Sequence, residues 1–196
     1  MTATAQRPGG RSARVRHDVL AATLQVLLEE GLDATTIPAI AERSGVHHTS
    51  IYRRWKDRAA LIREAALSAV DAAAPVPDTG NLRSDLIAGL DDVRRLLSSP
   101  LGTVLLDVAR SHSKIQGDDL DELRRTYWDA RLEHCSVIVE RAVARGELSP
   151  GTDHRLVFEL LIGPIHARML LSQDNLDDLK TTTIVDAVLN GVASGA

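Results

Sequence analysis

The chain has 196 residues, enough for one large or two small cores, and its 44% apolar and 26% charged content is that of an ordinary globular protein. A single cysteine, Cys135, excludes an intrachain disulfide framework and a cysteine-based zinc site, which points to the cytoplasm. The net charge of −4 excludes a general polyanion binder, yet it is unevenly spread: residues 1–58 hold nine Arg and Lys against six Asp and Glu, a net +3, whereas residues 59–196 hold 14 against 21, a net −7.

Aromatics are only 3%, Leu, Ala, Val, Glu and Arg dominate, and few stretches alternate with period two, so the fold class expected is all-α. Residues 1–12 carry Arg7 and Arg11 without an apolar stretch behind them, which is the pattern of a disordered basic tail rather than a secretory signal. A first helix follows over Arg14–Glu30, with Val19, Ala22, Val26 and Leu27 at helical spacing and Gly31 as its stop.

Two short helices meeting at Gly45 occupy Thr36 to Trp55. Thr36 is suited to cap the first, Pro38 falls in its first turn, and Ile37, Ile40 and Ala41 share a face. In the second, Val46, Ile51 and Trp55 anchor the inner side, leaving His48, Thr49, Ser50, Tyr52, Arg53 and Arg54 outside. That outer set holds donors and cations and no carboxylate, which suits a phosphate-lined groove. The Lys56-Asp57-Arg58 turn, with Asp57 as a cap, leads without a flexible linker into a fourth helix over Ala59–Ala73, so a tilt of this helix carries the reader with it.

Pro75, Pro77 and Gly80 separate this helix from the next, marked by the stripe Leu82, Leu86, Leu90, Val93 and Leu97. Further helices are expected over Leu101–Ser113, from the Gly117-Asp118-Asp119 break to about Arg145, over Asp153–Ser172 with Pro164 disturbing it near residue 160, and over Leu176–Val192. The long helix has two apolar rows, one through Leu123, Tyr127 and Val137 and another through Trp128, Leu132, Cys135 and Val139, as befits the middle of a bundle. Leu156–Leu171 is apolar but interrupted by Glu159, His166 and Arg168, so a membrane span is not expected.

The run Thr-Ile-Pro-Ala-Ile-Ala-Glu-Arg-Ser-Gly-Val, followed by Ser-Ile-Tyr-Arg-Arg-Trp and by Leu61 after Lys-Asp-Arg, resembles the TetR family of transcriptional repressors over residues 14–67. The resemblance implies about nine helices: a helix-turn-helix DNA-binding domain over 13–58 and a ligand-binding and dimerisation domain over 59–196. It implies phosphate contacts from Thr36 and Tyr52, and base contacts from His48, Thr49 and Ser50. Arg53, Arg54, Lys56 and Arg58 follow as cations of the same face, with Arg54 and Arg58 placed ahead of Arg53. His47 departs from the family, which usually has a small hydroxylated cap there, and Trp55 replaces the commoner Phe.

No nucleophile elbow, phosphate loop or His-Glu-x-x-His pair is present, so no catalytic or metal-ligating residue and no cofactor is expected. The body is expected to hold an apolar or amphipathic small-molecule effector, with His112, Tyr127, Trp128, Arg131, His134 and His166 as candidates to orient it. A homodimer through the last two helices would set two readers on a palindromic operator in double-stranded DNA, and the effector would release them by a population shift. The alternative is a small-molecule-binding or interaction module without DNA reading.

Overall fold

The computed structural model describes residues 9–110, 120–172 and 174–193. They form nine α-helices and no strand: α1 Gly9–Glu30, α2 Ile37–Ser44, α3 His48–Arg54, α4 Arg58–Ala73, α5 Leu82–Leu97, α6 Pro100–Arg110, α7 Leu120–Ala144, α8 His154–Ala167 and α9 Thr181–Ala193. Among these residues no helix is long and apolar enough to cross a membrane. Packing divides the chain into two compact units, Met1–Ala69 with Val104–Arg124, and Val70–Thr103 with Arg125–Ala196. The division falls inside α4 rather than at residue 58.

In the first unit, Val19, Leu20 and Ala22 of α1 pack on Ile37 and Ile40 of α2, Ile51 of α3, Trp55, and Leu61 and Ala65 of α4. This core rests on local signals that work as chemistry requires. Thr36 accepts the Ala39 N–H at 3.3 Å, and Gly45 turns the chain with φ +67°, a left-handed angle that costs a residue with a Cβ. Asp57 accepts the Ala60 N–H at 2.7 Å and so caps α4. A second cluster joins Leu27 of α1, Ile62 of α4 and Leu123 of α7.

Helix α1 starts at Gly9, five residues before the expected Arg14. Part of the reason is Ser12, whose carbonyl and hydroxyl both accept from Arg54, at 2.9 and 3.1 Å, fixing this end of the helix on α3. Arg7, the Arg11 side chain and the break at Gly117–Asp119 lie outside the described residues.

In the second unit, α5 packs on α8 and α9, and α8 packs on α9. Asn81 caps α5 through Ser84, and Asp153 caps α8 through Leu156. Pro164 does not end α8. The helix passes through it to Ala167 and then widens into a π-helical turn at Arg168–Ser172, the wider backbone spacing following a proline that removes one helical donor. The last helix begins at Thr181, not Leu176: Asn175 accepts the Asp177 N–H at 2.9 Å and Leu179 donates to Leu176, so side-chain competition makes turns of these residues.

At the α5–α6 corner Gly102 lies so close to the backbone of Leu96 and Leu97 that a Cβ would overlap it, 2.6 Å from the Leu97 carbonyl oxygen among other contacts. Backbone, unlike a side-chain tip, does not yield cheaply. Gly102→Ala is therefore expected to destabilise the chain by about 2 kcal/mol, lowering the thermal midpoint by several degrees in calorimetry.

Candidate DNA interface and effector cavity

Helix α3 has seven residues and owes its start to His47. The imidazole Nδ1 accepts the Thr49 N–H at 3.4 Å and lies 3.0 Å from the Thr49 hydroxyl, so histidine takes the place of the usual small cap. Accepting there requires an unprotonated Nδ1 and leaves the ring's proton on Nε2. The ring also lies beside that of His48, centroids 4.2 Å apart.

Most residues of the outer face are open to solvent. Thr36, His47, His48, Thr49, Tyr52, Arg53, Arg54 and Lys56 are exposed, Ser50 is half-buried, and Tyr52 is 56% accessible. Arg53 and Lys56 make no hydrogen bond or ion pair with any described residue. Arg54 is steadied by Ser12 and by the Trp55 ring, 5.8 Å from its guanidinium carbon.

Arg58 has a different task. Its guanidinium donates to the carbonyls of Thr35 (2.6 Å) and Leu32, closing the loop between α1 and α2. Both oxygens lie in a loop that also holds the fully buried Thr35, whose hydroxyl donates to Gly31. The geometry leaves Arg53 and Lys56 freer than Arg58 to meet a phosphate, whereas the sequence reading places Arg58 ahead of Arg53.

Trp55 does more than fill the core. Its indole Nε1 donates to Glu64 of α4 at 2.7 Å, and the same carboxylate accepts from Arg16 of α1 at 2.5 Å. Phenylalanine, the commoner residue in the resembling family, lacks that donor.

The second unit holds a partly open cavity of about 70 Å³ between the Pro75–Pro77 segment, α5, α7 and α8. Leu86, Leu90, Ile138 and Phe158 supply apolar walls, while Asp85, Arg131 and Cys135 supply the polar groups. Arg131 donates to Asp71 and to the Ala74 carbonyl, both at 2.9 Å, and so ties the cavity wall to the last turn of α4. Burial pushes the Cys135 thiol up, with Arg131 opposing.

Of the five effector candidates among the described residues, only Arg131 lines this cavity. Burial, opposed by Arg131, pushes Tyr127 up to about 12, which keeps it a phenol. His134 is on the surface, 3.7 Å from Asp71. Trp128 and His166 pack on each other, ring centroids 5.7 Å apart, and do not line the cavity. His112 lies outside the described residues. The sequence reading missed Asp85 and Phe158, which reach the cavity only through packing. Among the described residues no group of His, Cys, Asp or Glu gathers as metal ligands do.

Burial alone holds His166 below the ordinary histidine value of about 6.5. The fold favours the neutral ring, so this contribution to stability is full above the unfolded value and is lost as pH falls through the folded one. An NMR titration should place the His166 midpoint below that of an unfolded reference peptide, and His166→Phe should flatten the acid-side loss of stability.

Two family models match the chain: residues 19–65 match the bacterial regulatory proteins of the tetR family, and residues 76–188 match the tetracyclin repressor-like C-terminal domain. The chain is 36% identical over 163 residues to the HTH-type transcriptional regulator AqdR of Rhodococcus erythropolis, covering 82% of this chain and 77% of that one. It is 35% identical over 175 residues to the DNA-binding transcriptional repressor TetR of Mycobacteroides abscessus, covering 87% and 90%. Among solved structures, the TetR family transcription regulator SCO0332 superposes with a TM-score of 0.73 at 31% identity, covering 91% of this chain and 98% of that one. A three-helix DNA reader with an intact outer face, a helical body and relatives spanning both place the chain in the TetR family of helix-turn-helix, DNA-binding transcriptional regulators.

Proposed function

We propose that the chain is a dimeric repressor that binds a palindromic operator and is released by a small, largely apolar molecule in the cavity of the second unit. The observation that carries the release step is Arg131, at once part of the cavity wall and the donor that holds Asp71 and the end of α4. A cavity of about 70 Å³ is small against the roughly 300–1,000 Å³ of usual ligand pockets, so an effector must enlarge it. Enlargement displaces Arg131 or the Pro75–Pro77 segment, and either frees the C-terminal turn of α4. The ligand thus favours a state in which that turn is loose, and its effect on DNA equals its difference in affinity for the two states.

In this reading Tyr52, Arg53, Arg54 and Lys56 meet phosphates, His48, Thr49 and Ser50 face base edges, and Thr36 and His47 reach the backbone from the two helix starts. Arg58 maintains the loop behind them.

An open groove of about 1340 Å³ runs between α8 and α9, with Leu156 and Leu160 left 52% and 48% exposed on one side and Ile184 and Val188 on the other. Large apolar side chains standing in one continuous groove are what a matching face of a second copy would bury. Two copies related by a twofold axis then present two α3 helices to successive major grooves.

Arg53→Ala should weaken operator binding about tenfold and lower the salt dependence by about one unit of slope, with the thermal midpoint unchanged. Arg58→Ala should instead cost about 2 kcal/mol of stability, because two carbonyls lose a charged donor. Fluorescence anisotropy at several salt concentrations and calorimetry separate the two effects, and an unchanged midpoint in Arg58→Ala would return Arg58 to the DNA face. Leu160→Asp should give a monomer by light scattering at micromolar concentration and abolish cooperative operator binding; a dimer of unchanged mass would remove α8 from the interface.

A further inference from the structure

We infer that the effector is an uncharged, mostly apolar molecule about one ring in size that carries a single hydroxyl or N–H donor, and that this donor is received by Oδ2 of Asp85. The inference rests on the reading of the α5–α7–α8 cavity as the effector site and adds the chemistry of what it takes.

Asp85 is 0% exposed, in the first turn of α5. Its Oδ1 is fully engaged, accepting from the Thr79 N–H at 2.6 Å and the Thr79 hydroxyl at 2.7 Å. Oδ2, equally buried, accepts no hydrogen bond from any described residue. A buried carboxylate oxygen without a donor is costly, and buried polar atoms in folded proteins are rarely left so. Asp85 is also a lining residue of the cavity, with its oxygens behind the accessible surface, so a ligand that enlarges the space is what brings a donor to Oδ2.

The surrounding charges narrow the class. The Arg145 Nη2 is 3.8 Å from Oδ2, beyond hydrogen-bond reach, and Arg145 Nε is committed to Glu147. Arg131, the cation that lines the cavity, is engaged with Asp71 and Ala74. The carboxylate thus already faces positive charge and lacks only a donor. A cationic ligand would have to give up its hydration for an apolar cavity whose nearby carboxylates, Asp71 and Asp85, are already shared with Arg131 and Arg145. An anionic one would meet the Asp85 carboxylate. A neutral hydroxyl or N–H satisfies Oδ2 without altering the charge balance, and Leu86, Leu90, Ile138 and Phe158 receive the apolar remainder.

The test titrates the full-length protein with phenol, toluene and benzoate while following the methyl NMR signals of Leu86, Leu90 and Ile138. Phenol is expected to shift these methyls with an affinity at least about tenfold above that of toluene, as a hydrogen bond to a charged acceptor provides, and benzoate is expected to leave them in place. Asp85→Asn should shrink the advantage of phenol; because that change also touches the Thr79 turn, the wild-type comparison stands without it. Equal binding of toluene and phenol, as would follow if a trapped water satisfies Oδ2, overturns the donor assignment and leaves the cavity as effector site. Tighter binding of benzoate overturns it as well. Methyls unmoved by all three probes overturn the cavity reading and the donor assignment together.

Discussion

The carboxylate of Glu64 holds the reader in its working form. It accepts from Trp55, the residue that ends α3, and from Arg16 of α1, so one side chain of α4 fastens both other long arms of the head. Helix α3 is too short to be stable alone, and its seven residues are helical because Ile51 and Trp55 are buried against α1, α2 and α4. Apolar contact fixes which side faces inward but resists sliding weakly. The directional bond from the indole to Glu64 supplies what contact does not, a defined orientation of the recognition helix about its own axis. Exposed side chains on so short a helix read a groove only if that orientation is held.

The same helix carries the second constraint, at its opposite end. Arg131 donates to Asp71 and to the Ala74 carbonyl, completing a helix terminus whose last carbonyls have no partner of their own, with a cation placed where the helix dipole favours one. On the proposed reading this contact is the two-state element, with the guanidinium on α4 in one state and displaced in the other. A ligand couples to α4 only through its preference between those arrangements, which is why a small cavity beside Arg131 is a stronger lever than a larger one remote from it.

What could be read from the sequence follows from how far each interaction reaches along the chain. Thr36, Gly45 and Asp57 act on residues one to three positions away, and Val19, Ile40, Ile51 and Leu61 repeat at helical spacing, so the head was legible in detail. A basic residue beside a basic helix looks the same in sequence whether it faces phosphate or, like Arg58, donates to the carbonyls of Leu32 and Thr35, more than twenty positions earlier. Trp55 was read as a plug because apolar spacing carries no record of its indole N–H. The effector candidates were chosen for being polar on a two-sided helix, and only Arg131 met the cavity; Asp85 sat in an ordinary amphipathic pattern on α5, and nothing local marks it as buried. The start of α9 was placed too early because Leu176 and Leu179 fit the helical period, while the competing Asn175 turn is a side-chain effect that periodicity does not register.

The orphan oxygen of Asp85 bears on why the body is built as it is. Thr79 would be served by any residue offering one acceptor, and an asparagine would avoid burying a charge. On the proposed reading, a buried carboxyl group in the wall of an apolar cavity, with Arg145 3.8 Å from Oδ2, leaves stabilisation to be supplied by a ligand. Sites that must respond are drawn from the less stable parts of a fold, because a site already satisfied gains little from binding. On the proposed reading, the buried acceptor and Arg131 line one cavity, so the free energy available from a ligand arises in the same wall as the contact that the ligand has to disturb.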